Sequence, residues 1–236
     1  MEFETTISKS IRTVDDSARY DAACRRLLSE KTILAWIVKS CMEEFRDCDI
    51  NDIASRYIEV EPQVSGTQDE TNTAAAEETI IYDMHFTVSL PLSGERIRII
   101  LSVAEQHDFY PGYPLIKRGI YYCNRMISAQ YGPELVADHH GDIKKVASIW
   151  ICVNPPKGLE NTITSYSITE KNQIGAVKEP VENYDLMTAV MICLGRPDSR
   201  NENDVLRLLD VIFSSETRAE EKQRVLQRDF NISIMR

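Results

Sequence analysis

The sequence predicts a mixed α/β fold in which a small central sheet is flanked by helices. Three observations predict it: an early stretch with helical spacing of its apolar residues, two middle segments that alternate apolar and polar residues, and a later run that is almost continuously apolar. These patterns are typical of a surface helix, of half-buried strands and of a central strand covered on both faces. Helix, two antiparallel strands, helix and strand therefore follow one another around one core.

The first helix is predicted over residues 18 to 45, where charged residues stand between the apolar positions. Ser29 is a candidate break in this helix. Asp49 is a candidate cap for a short second helix over residues 50–58. Residues 59–79 are rich in acids, poor in apolar residues and without a usable period. They predict a mobile insertion between helix and sheet.

The stretch from residue 79 to residue 106 predicts a β-hairpin. Even-numbered residues are apolar in its first strand, and the parity is reversed in the second. A two-residue turn at positions 93–94 sets Asp83 opposite Ala104, because paired residues in an antiparallel hairpin share a face. In that register Glu105 points to the apolar side of the sheet.

A third helix is predicted over residues 115–131, before a Gly-Pro stop. Arg118, Tyr122 and Arg125 recur along one side of it, which predicts an available polar surface. The remaining elements are strands over residues 146–153, 162–168 and 186–194, followed by two helices that form a C-terminal helical hairpin.

The composition is that of a globular protein, and the length fits one large domain or one domain with an appendage. Of the 236 residues, 43% are hydrophobic and 27% are charged, and the formal net charge is -10. This charge argues against a generally basic coat for nucleic acid, although it is compatible with a local basic groove. The six cysteines form no C-x-x-C pair and predict reduced, mostly buried thiols. Without an apolar leader or a membrane-length apolar run, we expect a cytoplasmic protein with no membrane partner.

Asp83 is the first candidate for chemistry, because it lies on the polar face of the first hairpin strand. Hydrolysis of a phosphodiester at neutral pH uses a hard divalent cation that carboxylate oxygens hold on rigid neighbouring strands. Glu105 and Gln106, an acid and a polar group, end the partner strand. By itself this pattern is weak, since such residues are more often found at the surface.

Four segments resemble a known family: YDMHF at 82–86, VAEQ at 103–106, FYPGYPLIKRGIYYCNR at 109–125 and SIWICVNPP at 148–156. They resemble the PD-(D/E)XK nuclease family transposases, which are relatives of the recombination-promoting nucleases. The resemblance extends over about residues 20–195, most of the chain. It implies a restriction-endonuclease-like fold, a central mixed sheet flanked by helices, and DNA as the partner.

The resemblance also implies a metal site with magnesium, or alternatively manganese. Asp83 matches the family's strand aspartate, and Gln106 matches the last position of its E-x-Q motif. Glu105 is then expected as the second metal ligand, and Gln106 is expected to orient the attacking water. The family's glutamate belongs at position 104, however, where this chain has Ala104 followed by Glu105.

Two interpretations of this departure remain open, because moving the acid by one position along a strand turns it through about 180°. A regular strand takes Glu105 away from Asp83 and leaves a site that binds magnesium poorly. A bulge near Val103, or a three-residue hairpin loop, instead brings Glu105 opposite Asp83 and keeps the site.

Basic residues of the third helix are candidates for contact with DNA phosphates: Lys117, Arg118 and Arg125. Ion pairs on a solvated face are the alternative interpretation. Glu30 is a candidate outer metal ligand, and for it a surface glutamate is the alternative.

The leading hypothesis is a metal-dependent DNA endonuclease of mobile-element origin. One alternative is a catalytically impaired nuclease-fold protein that acts as a DNA- or protein-binding module, and another is a degenerate product without a selected activity. The predicted organisation is a polar lead-in over residues 1–18, a nuclease-like domain over 19–195 and the helical hairpin over 196–236. The hairpin is also the candidate contact of a homodimer.

Overall fold

A six-stranded mixed sheet forms the centre of the fold in the computed structural model. The structure describes residues 26–59, 63–65, 80–104, 112–130, 140–195, 203–214 and 217–232. The strands are β1 (Gln63–Ser65), β2 (Ile80–Ser89), β3 (Arg96–Ala104), β4 (Val146–Cys152), β5 (Thr162–Ser167) and β6 (Met187–Cys193). The helices are α1 (Lys31–Cys41), α2 (Ile50–Asp52, continued by a π-helical turn over Ile53–Tyr57), α3 (Ile116–Ser128), α4 (Asp204–Phe213) and α5 (Ala219–Phe230).

The strands follow the order β1-β2-β3-β4-β6-β5 across the sheet. β1, β2 and β3 are antiparallel neighbours, β4 and β6 run parallel to β3, and β5 pairs antiparallel with β6 at the far edge. α3 connects β3 to β4, as a parallel pair requires a crossover rather than a tight turn. The predicted α/β class, with a mixed sheet, flanking helices and additional C-terminal strands, is therefore confirmed.

α1 begins and ends where the local chemistry interrupts a longer helix. Ser29 Oγ donates to the carbonyl oxygen of Arg26 at 2.7 Å, and the helix restarts at Lys31. The predicted break near Ser29 is thus confirmed. At the other end Met42 is extended, so a 3₁₀ turn over Glu43–Phe45 replaces the last predicted turn of the helix.

The C-terminal helices complete the main core on one face of the sheet. Asn203 caps α4, since its Oδ1 accepts from the backbone N–H groups of Val205 and Leu206 at 3.1 and 3.2 Å. Trp36 of α1 meets Phe230 of α5 edge to face, with ring centroids 5.7 Å apart. The buried side chains of α4 and α5 that belong to the same core as α1 and the sheet are Val205, Leu206, Leu208, Leu209, Ile212, Phe213, Leu226 and Phe230.

The hairpin has a longer turn than the sequence predicted, and its register is shifted accordingly. Leu90 N donates to Glu95 O at 2.8 Å, so residues 91–94 form a four-residue loop instead of a two-residue turn at 93–94. Gly94 takes a left-handed φ of 68° at the end of this loop, a conformation that glycine adopts without steric cost. The shift by two residues pairs Asp83 with Ser102 and not with Ala104.

Part of the predicted mobile insertion is a strand. Residues 63–65 form β1 and pair with residues 83–85 of β2, and just before them Ile58 forms a bridge to Val88. The low apolar content of this segment hid the strand, which only its backbone pairing with β2 reveals. The other residues of the predicted insertion, from residue 60, lie outside the described residues.

The cysteine prediction holds for the described part of the chain. Cys41, Cys123, Cys152 and Cys193 are buried and Cys48 is half-buried, and all five are free thiols. Cys24 lies outside the described residues. Among the described helices, none combines the length and the apolar character that crossing a bilayer demands.

Asp210 of α4 gives a testable dependence of stability on pH. Burial raises its pKa to about 6, although the N–H of Gly195 donates to its Oδ1 at 3.2 Å. Because the folded-state pKa lies above that of the unfolded chain, the free energy of unfolding falls as pH rises from about 4 to about 6. We expect Asp210→Asn, which keeps the acceptor oxygen, to be more stable than wild type by about 2 kcal/mol at pH 8 and equal to it near pH 4.

Urea denaturation at the two pH values measures this difference. Asp47→Asn, at an exposed aspartate, is the matched control. A stability gain at Asp210 that is the same at both pH values would contradict the assignment of the raised pKa.

Candidate functional site

The carboxyl ends of the parallel strands β3, β4 and β6 lie together at one end of the sheet. On the sheet face that α3 covers, two rows of side chains run across the strands at this end. The first row is Ser102, Trp150 and Met191, and the second is Ala104, Cys152 and Cys193. Crevices outside the carboxyl ends of parallel strands are the usual ligand sites of open α/β sheets. This end of the sheet is therefore the candidate site.

α3 approaches the sheet closely because a glycine stands where the contact is tightest. A Cβ built on Gly119 would lie 3.3 Å from Trp150 Nε1 and 3.4 Å from the Cβ of Ala189. The Tyr122 ring stacks on the Trp150 ring, with centroids 5.6 Å apart and planes at 27°. A larger side chain at position 119 would push the helix away from the site.

Arg118 is buried in this contact, so the prediction that it lies on an available polar surface is wrong. Only 6% of the residue is exposed, and its Cζ lies 5.9 Å from the Trp150 ring centroid and 6.0 Å from that of Tyr113. The helix turns Leu115 and Gly119 to the sheet, and Arg118 follows them into the contact. Burial lowers the pKa of the guanidinium, an effect that Tyr122 partly offsets.

The other two basic candidates remain on the outside of α3, as predicted. Lys117 and Arg125 are exposed, and Arg125 Cζ lies 5.9 Å from the ring centroid of the exposed Tyr121. A guanidinium beside an aromatic ring at the surface is compatible with contact to a phosphate backbone. The three basic residues thus divide into one buried and two exposed cations.

Ser102 is a buried polar residue that the sequence did not single out. It is fully buried, and within the described part of the chain its Oγ has no hydrogen-bond partner. Ser148, in the adjacent row on β4, differs in that its Oγ accepts from Trp150 Nε1 at 2.9 Å. Since buried hydroxyl groups nearly always have partners, the bare Oγ of Ser102 requires an explanation such as a bound group.

The register places Asp83 and position 104 in different rows. Asp83 pairs with Ser102 in the first row, whereas Ala104 pairs with Ile80 in the second. Ala104 is buried and belongs to a small cluster with Trp150 and Cys152. Position 104, where the resemblance led us to expect a glutamate, therefore carries a methyl group among apolar neighbours, one row beyond Asp83.

A bulge does occur at the level of Val103, but on the other strand. Ile80 pairs with Ala104 and Tyr82 with Val103, so the extra residue is Ile81 of β2. β3 stays regular up to Ala104, and the hairpin loop has four residues rather than three. Neither of the predicted rearrangements of β3 is seen up to Ala104. Glu105, Gln106 and His107 lie outside the described residues.

Two thiols occupy the second row beside Ala104. Cys152 and Cys193 are paired in register, and their exposed fractions are 1% and 4%. The hydrogen bond that the Cys152 thiol donates to Cys193, together with burial, raises the pKa of Cys152. The pKa of Cys193 is lowered by its hydrogen bonds with Cys152 and Thr162, against the effect of burial. The alternation within each strand predicts which face of the sheet each cysteine lies on. Only the strand order shows that the two cysteines are neighbours.

Outside the candidate site, the remaining sequence candidates are dispersed. Glu30, the candidate outer metal ligand, is exposed at the start of α1. Among the residues that the structure describes, no group of three or more His, Cys, Asp or Glu side chains is arranged to hold a metal ion.

Comparison with known proteins gives no relative: no family model matches the chain, and neither the curated proteins nor the solved structures include a significant match.

Proposed function

We propose that the chain is a metal-dependent DNA endonuclease of mobile-element origin with a restriction-endonuclease-like fold. The observation that carries this proposal is the pairing of Asp83 with Ser102, whose buried hydroxyl lacks a partner among the described residues. The order of helix, antiparallel strands, helix and parallel strand supports it, as does the resemblance of the four segments from position 82 to position 156.

A divalent cation is the group that this end of the sheet would take. A hydroxyl oxygen is a hard donor of the kind that magnesium and manganese prefer, and Ser102 carries one without a partner in the described structure. Asp83 and Glu105 are the carboxylates that would hold the ion, and Gln106 would orient the attacking water. When bound, the metal supplies Lewis acidity and a water of lowered pKa.

The exposed and the buried basic residues would have different roles. Lys117 and Arg125 are exposed and would contact the DNA backbone. Arg118 is too buried to meet a duplex, so its charge would act from beneath the site and stabilise the carboxylates or the phosphate held there. This differs from the role of a surface phosphate contact that the sequence suggested for it.

A second function has an observation in its favour. Ala104 stands where the resemblance places a glutamate and is buried among apolar neighbours, so the carboxylate of the E-x-Q motif is missing from that position. A catalytically impaired protein that keeps the fold and binds DNA or protein is the alternative proposal.

Plasmid nicking with magnesium or manganese tests the endonuclease. We expect wild type to nick and Asp83→Ala to lose at least about 100-fold of the rate, because the carboxylate positions the metal. Asp142→Ala, at an exposed acid away from the site, is the control and should keep the wild-type rate.

The double variant Ala104→Glu, Glu105→Ala separates the two proposals. Nicking by this variant alone would support the impaired protein. Equal nicking by wild type and Asp83→Ala would reject the assigned site, and failure of every form to nick would reject the nuclease proposal itself.

A further inference from the structure

The free edge of the sheet at β5 differs from the rest of the surface. Leu92 and Tyr121 are the exposed large hydrophobic residues elsewhere in the described chain. Six of the eight such residues lie between residue 159 and residue 181: Leu159, Tyr166, Ile168, Ile174, Val177 and Val181. Concentrations of exposed apolar side chains of this kind mark interaction sites, whereas single ones need no explanation.

β5 itself is an edge strand without the usual protection. All six of its residues are exposed or half-buried, in contrast to the fully buried β4. From Thr162 to Ile168 no residue is charged and none is proline. Edge strands normally carry lysine, proline or a bulge, because their outward N–H and C=O groups otherwise pair with another strand.

The segment that follows β5 is held in place by its own polar side chains. Glu179 N donates to Glu170 Oε2 and Val177 N donates to Asn172 Oδ1, each at 3.1 Å. This arm, residues 168–186, presents Ile174 at 97% exposure and Val177 at 73%. The two apolar side chains Ile174 and Val177 of this arm are therefore exposed and are not part of the core.

Charge indicates which kind of partner this edge fits. Residues 157–182 carry three lysines, four glutamates and no arginine, a net charge of -1, while the whole chain carries -10. A nearly neutral edge offers no cation excess for nucleic acid. It is also the part of an acidic protein where a second, equally acidic copy meets the least repulsion.

We propose that β5 pairs antiparallel with β5 of a second copy, so that one sheet continues through both protomers. A strand that pairs antiparallel with itself closes under a two-fold axis, the commonest symmetry of homodimers. With the axis at Ser165, Tyr166 of each copy lies opposite Thr164 of the other, a favourable aromatic and β-branched pair. The apolar side chains of α4 and α5 are already used within the chain, which favours this edge over the helical hairpin as the contact.

Light scattering after size exclusion tests the proposal on the full chain. One copy has a mass of 27.0 kDa, and we expect twice that mass for wild type at about 100 µM. Thr164→Glu with Tyr166→Glu, at exposed positions of β5, should raise the dissociation constant at least about 100-fold by placing like charges across the axis. Leu92→Glu with Tyr121→Glu is the control, since it removes exposed apolar residues elsewhere and should leave the dimer intact.

A mixture of two oppositely charged β5 variants controls for misfolding of the glutamate variant. Thr164→Lys with Tyr166→Lys should also be monomeric alone, and mixing it with the glutamate variant should restore the mass of a dimer. A monomeric wild type would overturn the proposal, as would a dimer that survives in the glutamate variant. A mixture that stays monomeric would also count against it.

Discussion

Trp150→Ala is expected to lower the free energy of unfolding by about 3–5 kcal/mol and the melting temperature by about 10 °C. Trp150 is fully buried at the centre of β4 and fills the space between the sheet and α3. Its ring carries the stacked Tyr122 and the nearby Arg118, and its Nε1 donates to Ser148 Oγ at 2.9 Å. Alanine would leave a large cavity and would remove the aromatic surface beside a buried cation.

Urea denaturation followed by far-ultraviolet circular dichroism measures this loss. Trp150→Phe is the matched variant, because it keeps a ring in the stack while it removes the indole hydrogen bond. We expect it to cost about 1–2 kcal/mol. If Trp150→Ala cost less than about 1 kcal/mol, the close contact between α3 and β4 would be incorrect.

Lys145→Met is expected to cost about 2 kcal/mol, a value between those for exposed and for buried ion pairs. Lys145 lies just before β4, at the end of the sheet opposite the candidate site. Its Nζ is 2.8 Å from Asp185 Oδ2 and 3.0 Å from Glu44 Oε1, and the side chains of Lys145 and Asp185 are each only 16% exposed. Removal of the cation would leave two carboxylates close together without their counter-charge.

The pH dependence of the stability loss distinguishes the ionic contribution of Lys145 from a loss of packing. Burial alone would lower the pKa of Lys145, but its hydrogen bonds to Asp185 and Glu44 and the negative charges of these two groups together outweigh burial and raise the pKa. The contribution of a group with a raised folded-state pKa is complete below the unfolded value and is lost as pH rises through the folded value. The difference between wild type and Lys145→Met should therefore be constant from neutral pH to about 9 and should narrow above about 10.5.

The neighbouring lysine provides the control. Lys144 Nζ lies 3.8 Å from Glu95 Oε1, and its side chain is 53% exposed. Lys144→Met should change the free energy of unfolding by no more than about 0.5 kcal/mol. Equal losses at the two positions would show that the Lys145 cluster has no special contribution. Neither variant alters the candidate site, so plasmid nicking by the folded proteins should remain at the wild-type level.

The sequence by itself determined those strands and helices that a local pattern of apolar and polar residues marks. The alternation of β2 and β3, the continuous apolar run of β4 and the Asn203 cap of α4 are all local patterns, and the structure has each of them. Their periods follow from the geometry of the strand and the helix, so no tertiary information was needed. The mixed sheet with flanking helices followed from their order.

Tertiary structure decided the register, because a four-residue loop and a two-residue turn preserve the same alternation. Both place apolar residues on the core face, and only the long-range pairing shows that Asp83 is opposite Ser102. The missed strand β1 has a similar cause, since its three residues are too few to show a period and only their pairing with β2 reveals the strand. Even-numbered register shifts are invisible to a pattern with a period of two.

The candidate site itself is the clearest case of this division. The sequence by itself pointed to Asp83 and to basic residues in the helix after the hairpin, and its resemblance to the nuclease family led us to expect a glutamate where the chain has Ala104. Only the tertiary structure shows that Arg118 is buried against the sheet and that Ser102 is buried without a partner among the described residues. It also shows that Trp150 is the neighbour of both. The physical reason is that side chains distant in sequence become neighbours through strand order and helix rotation, and neither is encoded in the local period of a single element.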